Sequence, residues 1–227
     1  MKRHLLVTND FPPKVGGIQN YLWELWRRLP PDQFAVMTTP HPEAEQWDRT
    51  QPYKIIRDKN KVLLPQPYLA RRIRDEAAAM EAELVVLDPA LPLGHLGPSL
   101  RIPYAVVLHG AEITVPGRLP VSRHLLSRVL RKSEFVLSAG GYAAKEGERA
   151  ARSSLTVKEI PPGVDTERFK PLTPAKKSSI RDRYGLHAGP LILAVSRLVP
   201  RKGFDRLIRA VDVARSDVPD RRQRSRS

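Results

Sequence analysis

The sequence predicts an α/β fold built on a doubly wound, mostly parallel sheet. Three observations predict it. Short apolar runs alternate with segments whose apolar residues recur at helical spacing, which is the signature of crossover units. Strands that alternate with helices in this way give a largely parallel sheet covered on both faces. The alternation also stops at a stretch rich in proline and charge after residue 160 and resumes at residue 190.

The first run, HLLVT at His4–Thr8, is one strand, and Ile18, Tyr21, Leu22, Leu25, Trp26 and Leu29 then mark one face of a helix. Between them lie two prolines and the pair Gly16-Gly17. Later runs predict strands at 34–39 (FAVMTT), 53–56 (YKII), 84–87 (LVVL), 104–108 (YAVVL), 135–138 (FVLS) and 155–160 (LTVKEI). Helical spacing predicts helices at 68–81, 121–131 and 142–150. Residues 161–189 read as an interdomain connection with a short helical pattern near 178–184. A further strand at 190–196 (PLILAVS), a basic loop (RLVPRKG) and a helix at 204–214 read as the start of another α/β domain. The expected organisation is 1–165 as an N-terminal Rossmann-like domain, 166–189 as connection, 190–216 as the first β-α unit of a second domain, and 217–227 as a basic tail. The tail reads as disordered, or as the product of a frameshift or a cut gene. The second reading is favoured, because an opening β-α unit has no sheet to join, and its unpaired strand is open to aggregation.

A chain of 227 residues that is 41% hydrophobic and 28% charged has the composition of a globular protein. No run approaches a membrane span, and MKRHLLVTND has too short an apolar core for a signal peptide, so a cytoplasmic location is expected. The absence of cysteine excludes disulfides and thiolate chemistry. Of the formal charge of +15, the four arginines in RRQRSRS at the end supply +4, leaving +11 for the rest. Nucleic acid, an anionic membrane and a phosphorylated substrate all suit that charge. With 6% aromatic residues, no base-stacking signature, no zinc-ligand spacing and no helix-turn-helix, nucleic acid ranks last and no metal is expected.

Several residues carry candidate chemistry. Gly16-Gly17 precede a helix whose first N–H groups are unpaired, so a start without side chains admits an anion such as phosphate; a tight turn or close helix–strand packing is the other reading. The spacing is not G-x-G-x-x-G, so a dinucleotide fingerprint is unsupported. Asp10 in the same loop either satisfies backbone N–H groups or contacts a ligand. His109 ends an apolar strand and is followed by glycine, where an α/β sheet presents functional groups, although a structural histidine fits there too. Arg197 and Lys202 flank a turn and read as solvated charges or as a cation pair. Asp165 in PGVD caps a turn or takes part in domain closure. In VSRHLLSRVLRKS, 121–133, Val121, Leu125, Val129 and Leu130 share one side, while Arg123, Arg128, Arg131 and Lys132 lie mostly elsewhere. Such a helix packs on the sheet, or lies on an anionic membrane.

Four segments occur together and in order: DFPPKVGGIQ at 10–19, LHG at 108–110, PPGVDTERF at 161–169 and SRLVPRKG at 196–203. Through them, and over nearly the whole chain to about residue 216, the sequence resembles the family 4 retaining glycosyltransferases of the two-domain GT-B type. The wording of the first and last segments is similar to that of mannosyltransferases that use GDP-mannose to extend phosphatidylinositol mannosides. The resemblance implies transfer of a hexose, foremost mannose from GDP-mannose, to a lipid-linked or other polyol acceptor with retention. It implies no cofactor beyond the nucleotide sugar as substrate, and peripheral contact with the inner face of the plasma membrane.

By the same resemblance, Gly16 and Gly17 leave room for the donor diphosphate or the acceptor beside it, and Asp10 contacts acceptor hydroxyls. The side chain of His109 bonds a hydroxyl of the transferred sugar and its main chain lies near the anomeric centre, while the leaving phosphate receives the acceptor proton. Arg197 and Lys202 match the R-x4-K-G donor clamp that neutralises charge growing on the diphosphate. These amides and cations are expected to converge on one pyrophosphate. The family's donor domain also carries a glycine-rich turn, a base pocket and two spaced glutamates, and none follows Ala214, so little turnover is expected of this chain alone. The alternative class is a noncatalytic basic α/β module that binds an anionic lipid or phosphosugar.

Overall fold

A computed structural model describes residues 1–114, 117, 119–186 and 189–217. The chain divides into two units, Met1–Val164 and Asp165–Ser227. Beyond Asp217, the expected basic tail lies outside the described residues.

The first unit holds a sheet of β1 (His4–Thr8), β2 (Phe34–Thr38), β3 (Lys54–Arg57), β4 (Leu84–Asp88), β5 (Tyr104–Leu108), β6 (Val136–Ser138) and β7 (Val157–Glu159). The order is β3-β2-β1-β4-β5-β6-β7, and every neighbouring pair is parallel. Helices α1 (Gly17–Trp26), α2 (Ala44–Asp48), α3 (Pro67–Ala79), α4 (Ala111–Thr114), α5 (Pro120–Lys132) and α6 (Gly141–Ala151), with a 3-10 segment at Leu93–Ser99, make the connections. The doubly wound parallel sheet read from the sequence is the one that forms.

The apolar runs follow from burial on both faces. Along β1, Leu5 and Val7 enter the core shared with α3, α5 and α6, and Leu6 enters the core that holds Tyr21, Leu22 and Trp26 of α1. β1 lies inside the sheet, between β2 and β4, and the strand order reverses between β1 and β4. The crevice beyond the carboxyl ends at that reversal is where such sheets take ligands.

Three short elements were not foreseen. At five and four residues, α2 and α4 are too short to display a helical period, and the 3-10 segment has none. In α5 the buried stripe is Leu126, Val129 and Leu130, whereas Val121, expected in that stripe, is 77% exposed.

The second unit holds α7 (Pro174–Arg183), a 3-10 turn at Pro200–Lys202 and α8 (Phe204–Asp217). Helix α7 starts ahead of the expected residue 178 because Thr173 caps the N–H of Lys176 and Pro174 takes the first turn. Residues 190–196, expected as a strand, form none. Strand N–H and C=O groups need a neighbouring strand, and the second unit offers none among the described residues. Leu191, Ile192, Leu193 and Val195 are accordingly exposed.

Candidate functional site

Thr8 ends β1 and Asp88 ends β4, directly opposite each other at the reversal of strand order. Thr8 Oγ1 donates to Asp88 Oδ2 at 2.6 Å, and Asp88 Oδ1 lies 2.6 Å from Nε2 of His109, the residue after β5. With the proton on Nε2, Asp88 accepts from both neighbours and fixes the tautomer of the imidazole. Nδ1 is left without a hydrogen-bond partner among the described residues. The side chains of His109 and Asp88 are only 9% and 1% exposed. The Tyr21 ring meets the imidazole edge-on, with centroids 5.6 Å apart, and its hydroxyl donates to the Ile160 carbonyl at 2.8 Å.

These neighbours set the electrostatics. Burial is the largest influence on His109 and pushes its pKa down. The hydrogen bond and charge of Asp88, with the charges of Glu112 and Asp10, together outweigh it and hold the pKa above the ordinary 6.5. For Asp10, burial first and the Asp88 charge second hold the carboxyl above its ordinary value, against the pull of Lys14, His109 and Gln19. Burial and then Asp88 push the Tyr21 phenol up to about 12.

Gly16 starts α1 without a side-chain cap, in extended backbone with φ 171 and ψ 171. A Cβ on Gly17 would meet nothing within 4 Å, and one on Gly16 would meet the tip of the flexible Gln19 side chain at 2.2 Å. Neither a strained turn nor close packing requires these glycines. What they leave is an open approach to the first N–H groups of a ten-residue helix. Gln19 Nε2 donates to Asp10 Oδ1 at 2.6 Å, and the Asp10 N–H donates to Thr8 Oγ1 at 2.8 Å, so Asp10 joins the same network.

The loop that carries Asp10 and the glycines is pinned along its length. Asn9 exchanges two hydrogen bonds with the backbone of Leu63, at 3.1 and 2.7 Å. Lys14 Nζ donates to the Asn9 carbonyl at 2.9 Å and to Thr39 Oγ1 at 2.6 Å, while Arg57 Nη2 donates to the Pro12 carbonyl at 2.8 Å. On the far side of His109, Glu112 Oε1 accepts from the N–H groups of His109 and Gly110. Gly110 has φ +126, which only glycine adopts without strain. The main-chain N–H expected near an anomeric centre is therefore paired with a carboxylate of the chain itself.

In the second unit Arg197 and Lys202 are exposed, and neither forms an ion pair among the described residues. Lys202 sits in the 3-10 turn, which Gly203 closes at φ +67 with its N–H on the Pro200 carbonyl at 3.0 Å. The K-G pair is thus a turn requirement as well as a charge. Asp165 Oδ1 accepts from the N–H groups of Glu167 and Arg168 at 3.0 Å each, the capping geometry.

Thr8, Asp88, Gln19, Tyr21 and Glu112 were not singled out in the sequence. Asp88 had a readable signal, an acid closing a wholly apolar run, which is the rule that marked His109. Among the described residues no cluster suited to a metal ion is present, and no helix is long and apolar enough to cross a membrane.

No family model matches the sequence. The GDP-mannose-dependent alpha-(1-6)-phosphatidylinositol monomannoside mannosyltransferase of Mycobacterium tuberculosis is 37% identical over 228 residues, covering 96% of this chain and 59% of its own length. The enzyme of the same name from Mycolicibacterium smegmatis is 37% identical over 227 residues, covering 95% and 58%. The GDP-mannose-dependent monoacylated alpha-(1-6)-phosphatidylinositol monomannoside mannosyltransferase of Corynebacterium glutamicum is 34% identical over 226 residues, covering 96% and 59%. The chain thus spans under two thirds of the length of the curated relatives it matches. Among solved structures, Anabaena HepE in complex with UDP superposes with a TM-score of 0.70 at 21% identity, over 93% of this chain and 57% of that one. A glycosyltransferase from Rickettsia africae superposes with a TM-score of 0.63 at 17% identity, over 92% and 57%. At these identities the superpositions speak for the fold.

Proposed function

We propose that the chain is a GT-B glycosyltransferase related to the GDP-mannose-dependent phosphatidylinositol mannoside mannosyltransferases it resembles, and that it carries the acceptor side of a retaining mannosyl transfer. The donor in this reading is GDP-mannose and the acceptor a lipid-linked polyol of the phosphatidylinositol mannoside class. The observation that carries it is the Thr8–Asp88–His109 chain at the reversal of strand order, beside Asp10 and an uncapped helix start.

Each group has a part. His109 Nδ1 and the Asp10 carboxylate hydrogen-bond sugar or polyol hydroxyls. Asp88 and Thr8 position the imidazole. The open N–H groups behind Gly16 and Gly17 receive phosphate oxygens, and Arg197 and Lys202 neutralise the charge that grows on the leaving diphosphate. That diphosphate, rather than His109, takes the acceptor proton. The acceptor is lipid-linked, so the reading includes peripheral contact of the basic surface with the inner face of the plasma membrane. With Leu126, Val129 and Leu130 of α5 packed, its basic side and Val121 are left for such contact.

Calorimetry with phosphatidylinositol monomannoside in neutral detergent micelles tests this. The expected result is saturable binding that His109→Ala and Asp10→Asn each weaken by about tenfold, roughly one lost polar contact. Binding equal in both variants, or no preference for the mannoside over phosphatidylcholine, contradicts it.

A further inference from the structure

A second concave site lies in the first unit, between α3, the 3-10 segment and α5. It is a half-open groove of about 440 Å³, within the size range of small-molecule sites. Its floor is the buried Ala70, Leu96 and Val129. Arg74 from α3, His95 from the 3-10 segment and Arg128 from α5 line it, and none of the three has an acidic partner among the described residues. Nearby arginines behave otherwise: Arg57 pairs with Asp48, and Arg72, on the same helix as Arg74, pairs with the buried Asp58. Two arginines from different helices that line one groove give it a positive potential that favours an anion. Guanidinium groups suit phosphate oxygens, which they bind in pairs of hydrogen bonds.

We propose that this groove binds a phosphate ester, its phosphate held by Arg74 and Arg128 with His95, and its carbon skeleton lying on Leu96 and Val129. None of these residues belongs to the Asp88–His109 network, so the site stands apart from the transfer chemistry and does not depend on it. The ester is either free in solution or the headgroup of a lipid, and the experiment separates the two.

The whole chain is titrated with glycerol 3-phosphate by calorimetry, with glycerol as the uncharged control. The expected result is saturable binding of the ester alone, weakened about tenfold or more in Arg74→Gln/Arg128→Gln and unchanged in Asp10→Asn, with Arg74→Lys keeping part of the affinity. Thermal melting of each variant reports whether the fold is kept. Competition by phosphatidylglycerol vesicles and not by phosphatidylcholine vesicles assigns the site to a lipid headgroup, and no competition by either assigns it to a free ester. Absence of ester binding in the parent chain, or equal affinity in a folded double variant, overturns the proposal.

Discussion

His4 and His109 are both largely buried histidines, yet their partners give them opposite titration behaviour. His4 lies between the Lys2 carbonyl on Nδ1, at 3.0 Å, and the Trp26 indole N–H on Nε2, at 2.9 Å, and burial holds its pKa below 6.5. His109 has Asp88, and its pKa stands above 6.5. The stability that His4 contributes is complete above the unfolded pKa and lost as pH falls through its folded value. That of His109 is complete below about 6.5 and lost as pH rises through its folded value. In Asp88→Asn the hydrogen bond and charge disappear while burial persists, so the pKa of His109, followed by NMR, falls; an unshifted titration contradicts the pairing. At the helix start, Gly16→Ala and Gly17→Ala are each expected to change unfolding free energy by less than about 1 kcal/mol in urea titrations. Gly16→Ala also displaces the Gln19 amide from Asp10, visible in its side-chain resonances. His109 and the glycine pair were legible because a residue closing a strand and glycines opening a helix are local patterns. Asp88 carried the same strand-end signal and was passed over, because the expected strand stopped at Leu87, one residue short of the acid.

At the scale of elements, length decided what could be read. Strands β1, β2, β4 and β5 are five-residue runs buried on both faces, and β1 and β5 fall on the residues expected. The 3-10 segment was missed, yet it is tightly fitted. A Cβ on Gly97 would lie 2.5 to 2.7 Å from the Tyr104 ring, which cannot retreat because its hydroxyl donates to the Val129 carbonyl at 2.7 Å. Gly97→Ala is therefore expected to destabilise the first unit by about 1–3 kcal/mol in urea unfolding. Gly163→Ala, which meets nothing within 4 Å, serves as the control. Residues 190–196 show the converse limit. An apolar run reports that a segment would be buried in a sheet, but the hydrogen bonds of a strand come from its neighbour, which periodicity does not contain.

Across the whole molecule, the parallel topology sets β1 beside β4 inside the sheet and gathers groups from distant parts of the chain at the carboxyl ends of its strands. Thr8, Asp88 and His109 are as much as 101 positions apart and joined by bonds of 2.6 Å. The net charge of +15 gave only the class of partner, an anion, whereas the fold separates the Asp88–His109 network from a groove lined by Arg74 and Arg128. The central claim is that the uncapped start of α1 and the Asp88–His109 network serve one sugar-phosphate ligand. Backbone and imidazole NMR shifts of the chain, followed during titration with GDP-mannose, test it most directly. The account predicts saturable changes at the amides of Gly17, Ile18 and Gln19 together with the His109 ring. Saturable binding that leaves those resonances in place, or no binding of the sugar nucleotide, would contradict it.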